Sequence, residues 1–231
     1  MRILALDTAS GLCSAALLLG DQVRVRAQAT RREHAHLILP MIDSLLREAD
    51  VTLTSLDAIA FGRGPGSFTG LRIAASVTQG LALGASLPVL PISDLRALAQ
   101  QAFDLGAGSA PPLAALACMD ARMREVYWSL HRADAAGLAI DAPERVAAAA
   151  LVNLQGMDPA RVAAAGCGLA AYADTLAVIG LSSSLSLAQA EPHARDIARL
   201  AAADFAAGLA QDAAGAVPVY LRDNVAQAPR G

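Results

Sequence analysis

Short apolar blocks open the chain and give way to helical spacing near Glu33. Arg2 to Asp7 and Cys13 to Leu19 are almost wholly apolar, separated by the polar turn Asp7-Thr8-Ala9-Ser10-Gly11, and Gly20-Asp21 makes the next turn. Gln22 to Ala29 (QVRVRAQA) alternates with the period of a strand that has one solvated face. Three strands joined by tight turns predict an antiparallel meander. Glu33 to Ala49 then has helical spacing, but Leu37, Ile38, Leu39, Met41, Ile42, Leu45 and Leu46 cover more than one face, which a helix buried on a single side does not need. Pro40 fits such a helix only in its first turn or at a kink.

The stretch Phe61 to Leu83 (FGRGPGSFTGLRIAASVTQGLAL) organises the rest. Asp57 to Phe61 reads as a buried strand, and Gly62, Gly64, Pro65 and Gly66 break it with a turn that bulkier residues cannot make without strain. Ser67 or Thr69 caps the following helix. Gly70, Ala74, Ala75, Ser76, Thr78, Gly80, Ala82 and Gly84 leave little bulk on that helix, so another backbone can approach closely. Gly80 costs up to about 1 kcal/mol against Ala in a helix interior, which calls for a packing reason. The GPGSFTG turn has two readings: a capped strand-to-helix turn, or free amides that hold an anion such as phosphate.

Pro88 to Ile92 reads as a strand and Ser93 to Phe103 as a helix, completing the order βββαβαβα of a ribonuclease H-like half-domain. Gly106 to Pro112 (GAGSAPP) is the best linker. Beyond it, Leu113 to Met119 and Glu125 to Leu130 are expected as strands, Pro143 to Leu154 as a helix and Arg161 to Ala165 as a strand. Leu169 to Val178 and Pro192 to Gln211 follow as helices, the latter with Pro192 at its first position, before the extended tail from Pro218. The expected division is a first lobe, 1–105, and a second, 106–231, whose last helix and tail pack back on the first.

Net charge is −3 over 231 residues, which predicts no broad nucleic-acid surface. All 18 basic residues are arginine. Without lysine there is no P-loop lysine to reach a phosphate and no Schiff-base nucleophile. Cys13, Cys118 and Cys167 lack CxxC spacing and read as buried thiols. The chain starts directly on a strand rather than a signal peptide, and the uncharged interval Ile73 to Ser93 is interrupted by polar residues and prolines. The expectation is a soluble cytoplasmic protein with no membrane contact.

Five segments together, ILALDTAS (3–10), GRGPGSFTGLRIAASVTQGLAL (62–83), CMDARMREVYWSL (118–130), AAGCGLAAY (164–172) and PVYLRDNVA (218–226), resemble the TsaB (YeaZ) family. That resemblance implies a two-lobed α/β fold of the actin-like ATPase (ASKHA) type. It also implies a role in making threonylcarbamoyladenosine beside the tRNA anticodon. TsaB proteins look like truncated relatives of TsaD, the transferase. They are understood as non-catalytic partners that bind TsaD, are joined by the ATPase TsaE, meet tRNA only through the complex, and form homodimers when alone. TsaD-like relatives carry a metal-binding His-x-x-x-His after the small-residue helix; here Asp94 and Leu98 fall at those positions, and leucine cannot ligate. The resemblance therefore implies no catalytic residue, cofactor or metal.

The remaining polar candidates are weak. Asp7 stands where actin-like ATPases keep a carboxylate for metal-bound nucleotide, but Thr8-Ala9-Ser10 lacks the glycine that lets phosphate approach, so Asp7 and Ser10 read as a remnant that satisfies turn amides. His34 and His36 point about 200° apart on a helix. His131 and His193 are expected at the surface or as caps, and Asp120, Arg122, Arg124 and Glu125 as a charged turn. The docking face is expected on the two first-lobe helices at Leu37, Met41, Leu45, Arg72, Ala74, Ser76, Gln79 and Leu83, with Leu45→Glu or Ala74→Arg leaving the monomer folded. The rivals are an active phosphotransferase or metallopeptidase of the same superfamily, and direct tRNA binding.

Overall fold

The computed structural model describes residues 1–106 and 111–222. Most of the GAGSAPP linker and the end of the PVYLRDNVA segment lie outside these described residues.

The three apolar blocks form β1 (Arg2–Asp7), β2 (Leu12–Leu19) and β3 (Gln22–Ala29), the expected antiparallel meander. Then come α1 (His34–Ala49), β4 (Ala58–Gly62), α2 (Phe68–Ala85), β5 (Val89–Ile92) and α3 (Asp94–Leu105). The first sheet runs β3-β2-β1-β4-β5, with β4 parallel to both β1 and β5.

The second half supplies β6 (Ala114–Arg122), β7 (Glu125–His131), β8 (Arg145–Ala148) and β9 (Val162–Ala165). After β9 come α4 (Cys167–Ala171), α5 (Ala173–Leu176), β10 (Ser186–Leu187) and α6 (Ala194–Ala206). Its sheet runs β10-β9-β6-β7-β8, an antiparallel meander followed by two parallel strands, so each half repeats the plan of the other. This is the two-lobed ribonuclease H-like (ASKHA) architecture.

Every residue of β1 from Ile3 to Asp7 is buried, because both faces of the first sheet are covered. Leu4 and Leu6 pack with Ile38, Ile42 and Leu45 of α1 and Ala74 and Ala82 of α2. Ile3 and Ala5 face the opposite way, into a cluster with Leu95 and Leu98 of α3, Ile197 and Leu200 of α6, and Ala115 and Ala163 of the second sheet. Helices α3 and α6 thus form a layer between the two sheets. Alanines 97, 99, 102, 198 and 201 keep that layer thin, since a residue without side-chain bulk beyond Cβ lets helix and sheet approach closely.

Three expected helices differ. Pro143 to Leu154 is β8 followed by a single turn at Ala149–Leu151. Alanine propensity is overridden by pairing along β7, where Arg145 stands opposite Trp128 with its guanidinium 5.1 Å from the indole centroid. Leu169 to Val178 breaks at Tyr172, whose φ of −127° is not helical and whose hydroxyl donates to Asp120. The last helix starts at Ala194, one residue beyond its cap His193, and is over before Gly208 turns left-handed. Pro40 lies past the first turn of α1, on its solvent side.

Leu45 and Ala74, expected at the docking face, are fully buried in the core. The i,i+4 rows that carry them point at the sheet rather than away from it. Leu45→Glu therefore places an unpaired charge in the core and costs about 3–5 kcal/mol. Circular dichroism is expected to show loss of the folded state, and a native spectrum with an unchanged melting temperature would refute this packing.

Candidate functional site

The glycine run works by bringing two backbones together. Ser67 caps α2 by accepting from Gly70 N (3.4 Å), and Ser67 N donates to Ala9 O at 2.7 Å. Thr8 Oγ1 donates to Gly70 O at 2.7 Å. A Cβ on Gly70 would lie 1.9 Å from the Thr8 carbonyl oxygen, and one on Gly66 2.6 Å from that of Ala9. The start of α2 is thus seated on the turn after β1, with the Ser67 and Gly70 amides both bonded within the chain. Asp7 Oδ1 accepts from Ala9 N (2.9 Å) and Ser10 Oγ from Leu12 N (3.2 Å), so both satisfy turn amides. The capped strand-to-helix turn expected of GPGSFTG is present, with Ser67 as the cap.

A cleft of about 740 Å³ opens between the lobes, lined by Ser10, Phe68, Asp120, Tyr127, Glu191 and Tyr220 among others. Asp7 is buried beneath it without contributing to its wall. The charged turn of the second lobe reaches the mouth. Arg122, Met123 and Arg124 all have positive φ (64°, 55° and 64°), and Asp120 steadies the turn by accepting from Arg122 N and the Tyr172 hydroxyl.

The outer faces of α1 and α2 carry the other expected residues. Arg72, Ser76, Gln79 and Leu83 are exposed, and Leu37 and Met41 half-buried. Leu83 is 74% exposed. The small-residue helix divides its glycines by role: Gly70 packs inside the chain, whereas Cβ atoms on Gly80 and Gly84 would meet nothing within 4 Å among the described residues. Along the first half of α2 a groove of about 430 Å³ is lined by Ala35, Phe68, Thr69, Arg72, Ile73, Ser76 and Val77. Sequence reasoning missed Phe68, Ile73 and Val77. Their spacing of four or five on one helix was the available signal.

His34 is buried and bonds Ser10 O (3.0 Å), while His36 is exposed, in line with their opposed directions. His193 caps α6 as expected. His131 does not lie at the surface: it is buried against Ser129 Oγ (2.6 Å) and Ile140 O (2.8 Å), and burial lowers its pKa. This Ser–His pair lines neither cavity and ties β7 to the following loop. Burial pushes the Cys13 thiol up to about 11 and Cys118 to about 12, which removes thiolate chemistry near neutral pH. Leu98 is core. Among the described residues, no three His, Cys, Asp or Glu side chains gather to hold a metal ion, and no helix is long and apolar enough to cross a membrane.

Residues 25–230 match the family model described as TsaD: tRNA N6-adenosine threonylcarbamoyltransferase. The chain is 39% identical to the tRNA threonylcarbamoyladenosine biosynthesis protein TsaB of Escherichia coli K12, over 98% of this chain and 96% of that protein. The chain belongs to the TsaB (YeaZ) family. The YeaZ structure of Pseudomonas aeruginosa superposes with a TM-score of 0.83 at 38% identity, covering 95% of this chain and 99% of that one. A second Pseudomonas aeruginosa structure, described as having similarity to peptidase YeaZ, superposes at 0.85 with 40% identity, covering 96% and 99%.

In this TsaB-family chain the loop before α2 rests on two buried carboxyls that sequence reading did not pair. Asp94 Oδ2 accepts from Gly64 N (2.7 Å), and a Cβ on Gly62 would lie 2.3 Å from Asp94 Oδ1 and 2.7 Å from Asp7 Oδ1. Among the described residues Asp7 Oδ2 and Asp94 Oδ1 have no donor, and a proton held on one of the carboxyls would supply one. Burial raises Asp7 to about 7 against the pull of the Ala9 and Thr8 amides, and burial together with the Asp7 charge raises Asp94.

The unfolded chain releases these protons near the ordinary carboxylate value, so between there and about pH 7 the folded state binds more protons and stability falls as pH rises. Asp94→Asn supplies a permanent donor. The variant is expected to exceed the parent by about 2 kcal/mol at pH 8 and to lose that advantage at pH 5. Denaturant titrations at both pH values check this, and a pH-independent difference would show that no proton is shared.

Proposed function

We propose that the chain is the non-catalytic partner of TsaD in threonylcarbamoyladenosine formation on tRNA, and that TsaD docks on the outer faces of α1 and α2. One observation carries this reading: Gly80 and Gly84 occupy a helix at a conformational cost, yet among the described residues nothing comes within 4 Å of where their Cβ atoms would lie. An exposed helical glycine pair on the helix that also exposes Leu83 fits close approach of a helix from another chain. The two helices, 16 and 18 residues long, extend about 24–27 Å. That is enough for an interface of about 800 Å² a side.

In this proposal the first lobe, 1–105, carries the docking face and the second, 106–231, completes the fold. A second copy covers the same face when TsaD is absent. The ATPase TsaE joins the assembled pair, tRNA is reached only through it, and the setting is the cytoplasm. The activity then resides in TsaD, because the family's nucleotide-supporting aspartate is here spent on turn amides and the metal-ligand position is Leu98. A sequence pI near 5.8 supports indirect rather than direct contact with tRNA.

Leu83→Arg is expected to keep the native circular dichroism spectrum and weaken TsaD binding by more than about tenfold, as a charge buried at an interface centre does. Gly80→Ala is expected to stabilise the isolated chain by up to about 1 kcal/mol while weakening the complex, because the added methyl fills the space the partner needs. Calorimetric titration and thermal melts measure both. Unaltered binding by the two variants would place the interface elsewhere.

A further inference from the structure

The end of the described chain spans from one lobe to the other. Val219 N donates to Arg63 O at 2.7 Å, and its carbonyl occupies the space a Cβ on Gly64 would need. Tyr220 lies against Phe68, ring centroids 5.4 Å apart, and its hydroxyl accepts from Arg72 Nε at 3.1 Å. The Arg72 guanidinium in turn sits 3.7 Å from the Phe68 ring centroid. Arg222 then pairs with Glu125 and contacts Met123 of the second lobe.

Phe68 lines both the inter-lobe cleft and the groove on α2, and Arg72 lines the groove. Both side chains are exposed at their helix surface. Left alone, each would sample several rotamers.

We infer that Tyr220 is a positioning residue for the docking face: by holding Phe68 and Arg72 it preforms one end of the groove that TsaD enters. This rests on the docking reading above and adds a role for the C-terminal segment in it. A partner meeting a preformed groove does not have to order those side chains itself, and affinity rises accordingly. Because coupling is reciprocal, a bound partner in turn holds the strap in place.

The test uses the full chain and purified TsaD. Tyr220→Ala is expected to weaken binding about fivefold to tenfold, and Tyr220→Phe, which keeps the ring contact, by less. If Tyr220 acts through Arg72, the Tyr220→Ala and Arg72→Ala losses are less than additive, whereas a direct contact with TsaD makes them add. Amide exchange at 217–222 is expected to slow when TsaD is bound.

Wild-type affinity for Tyr220→Ala, additive losses, or strap exchange unmoved by saturating TsaD each overturn the inference. Leu83→Arg separates the two failures. Weak binding by that variant beside normal binding by Tyr220→Ala sinks the strap alone; normal binding by both sinks the docking face as well.

Discussion

The close seating of α2 on the turn after β1 is the contact on which the first lobe depends. Gly66 and Gly70 permit it, the Thr8 hydroxyl and Ser67 amide hold it, and no residue with a Cβ at position 70 can reproduce it. The helix after the glycine-rich loop is thereby bonded to the turn after the first strand, and Asp7 Oδ1 holds the same turn from within by accepting from Ala9 N.

Once α2 is seated, the remaining geometry follows. Its inner row, Leu71, Ala74, Ala75, Thr78 and Ala82, is buried, leaving Arg72, Ser76, Gln79, Gly80 and Leu83 to face outward beside α1. Below the loop, Gly62 lets the Asp7 and Asp94 carboxyls converge, and above it Phe68 meets the C-terminal strap. One strand-to-helix junction thus links a buried carboxyl pair, a packing surface and an exposed one.

Much of this was legible in the sequence. The meander and the small-residue helix came from periodicity and glycine placement, and the α/β fold and the family from five motif segments. What could not be read was direction. The surplus apolar positions on α1 belong partly to the core, and nothing in one dimension distinguishes Leu45, which is inside, from Met41 one turn earlier, which is half outside. Composition misled in the second half, where an alanine-rich segment beside a strand edge took the edge's conformation. The two carboxyls, 87 residues apart in the chain, become neighbours only through the β1–β4–β5 order.

The layer of α3 and α6 between the sheets also governs how the molecule can be made. Strand β1 is made well before α6, yet the face bearing Ile3 and Ala5 is closed in part by Ile197 and Leu200 of that helix. Until α6 has been synthesised, that face lacks this part of its cover. Such long-range closure is slow and exposes oily surface to neighbours, so the packing of the first sheet is completed only once α6 has emerged.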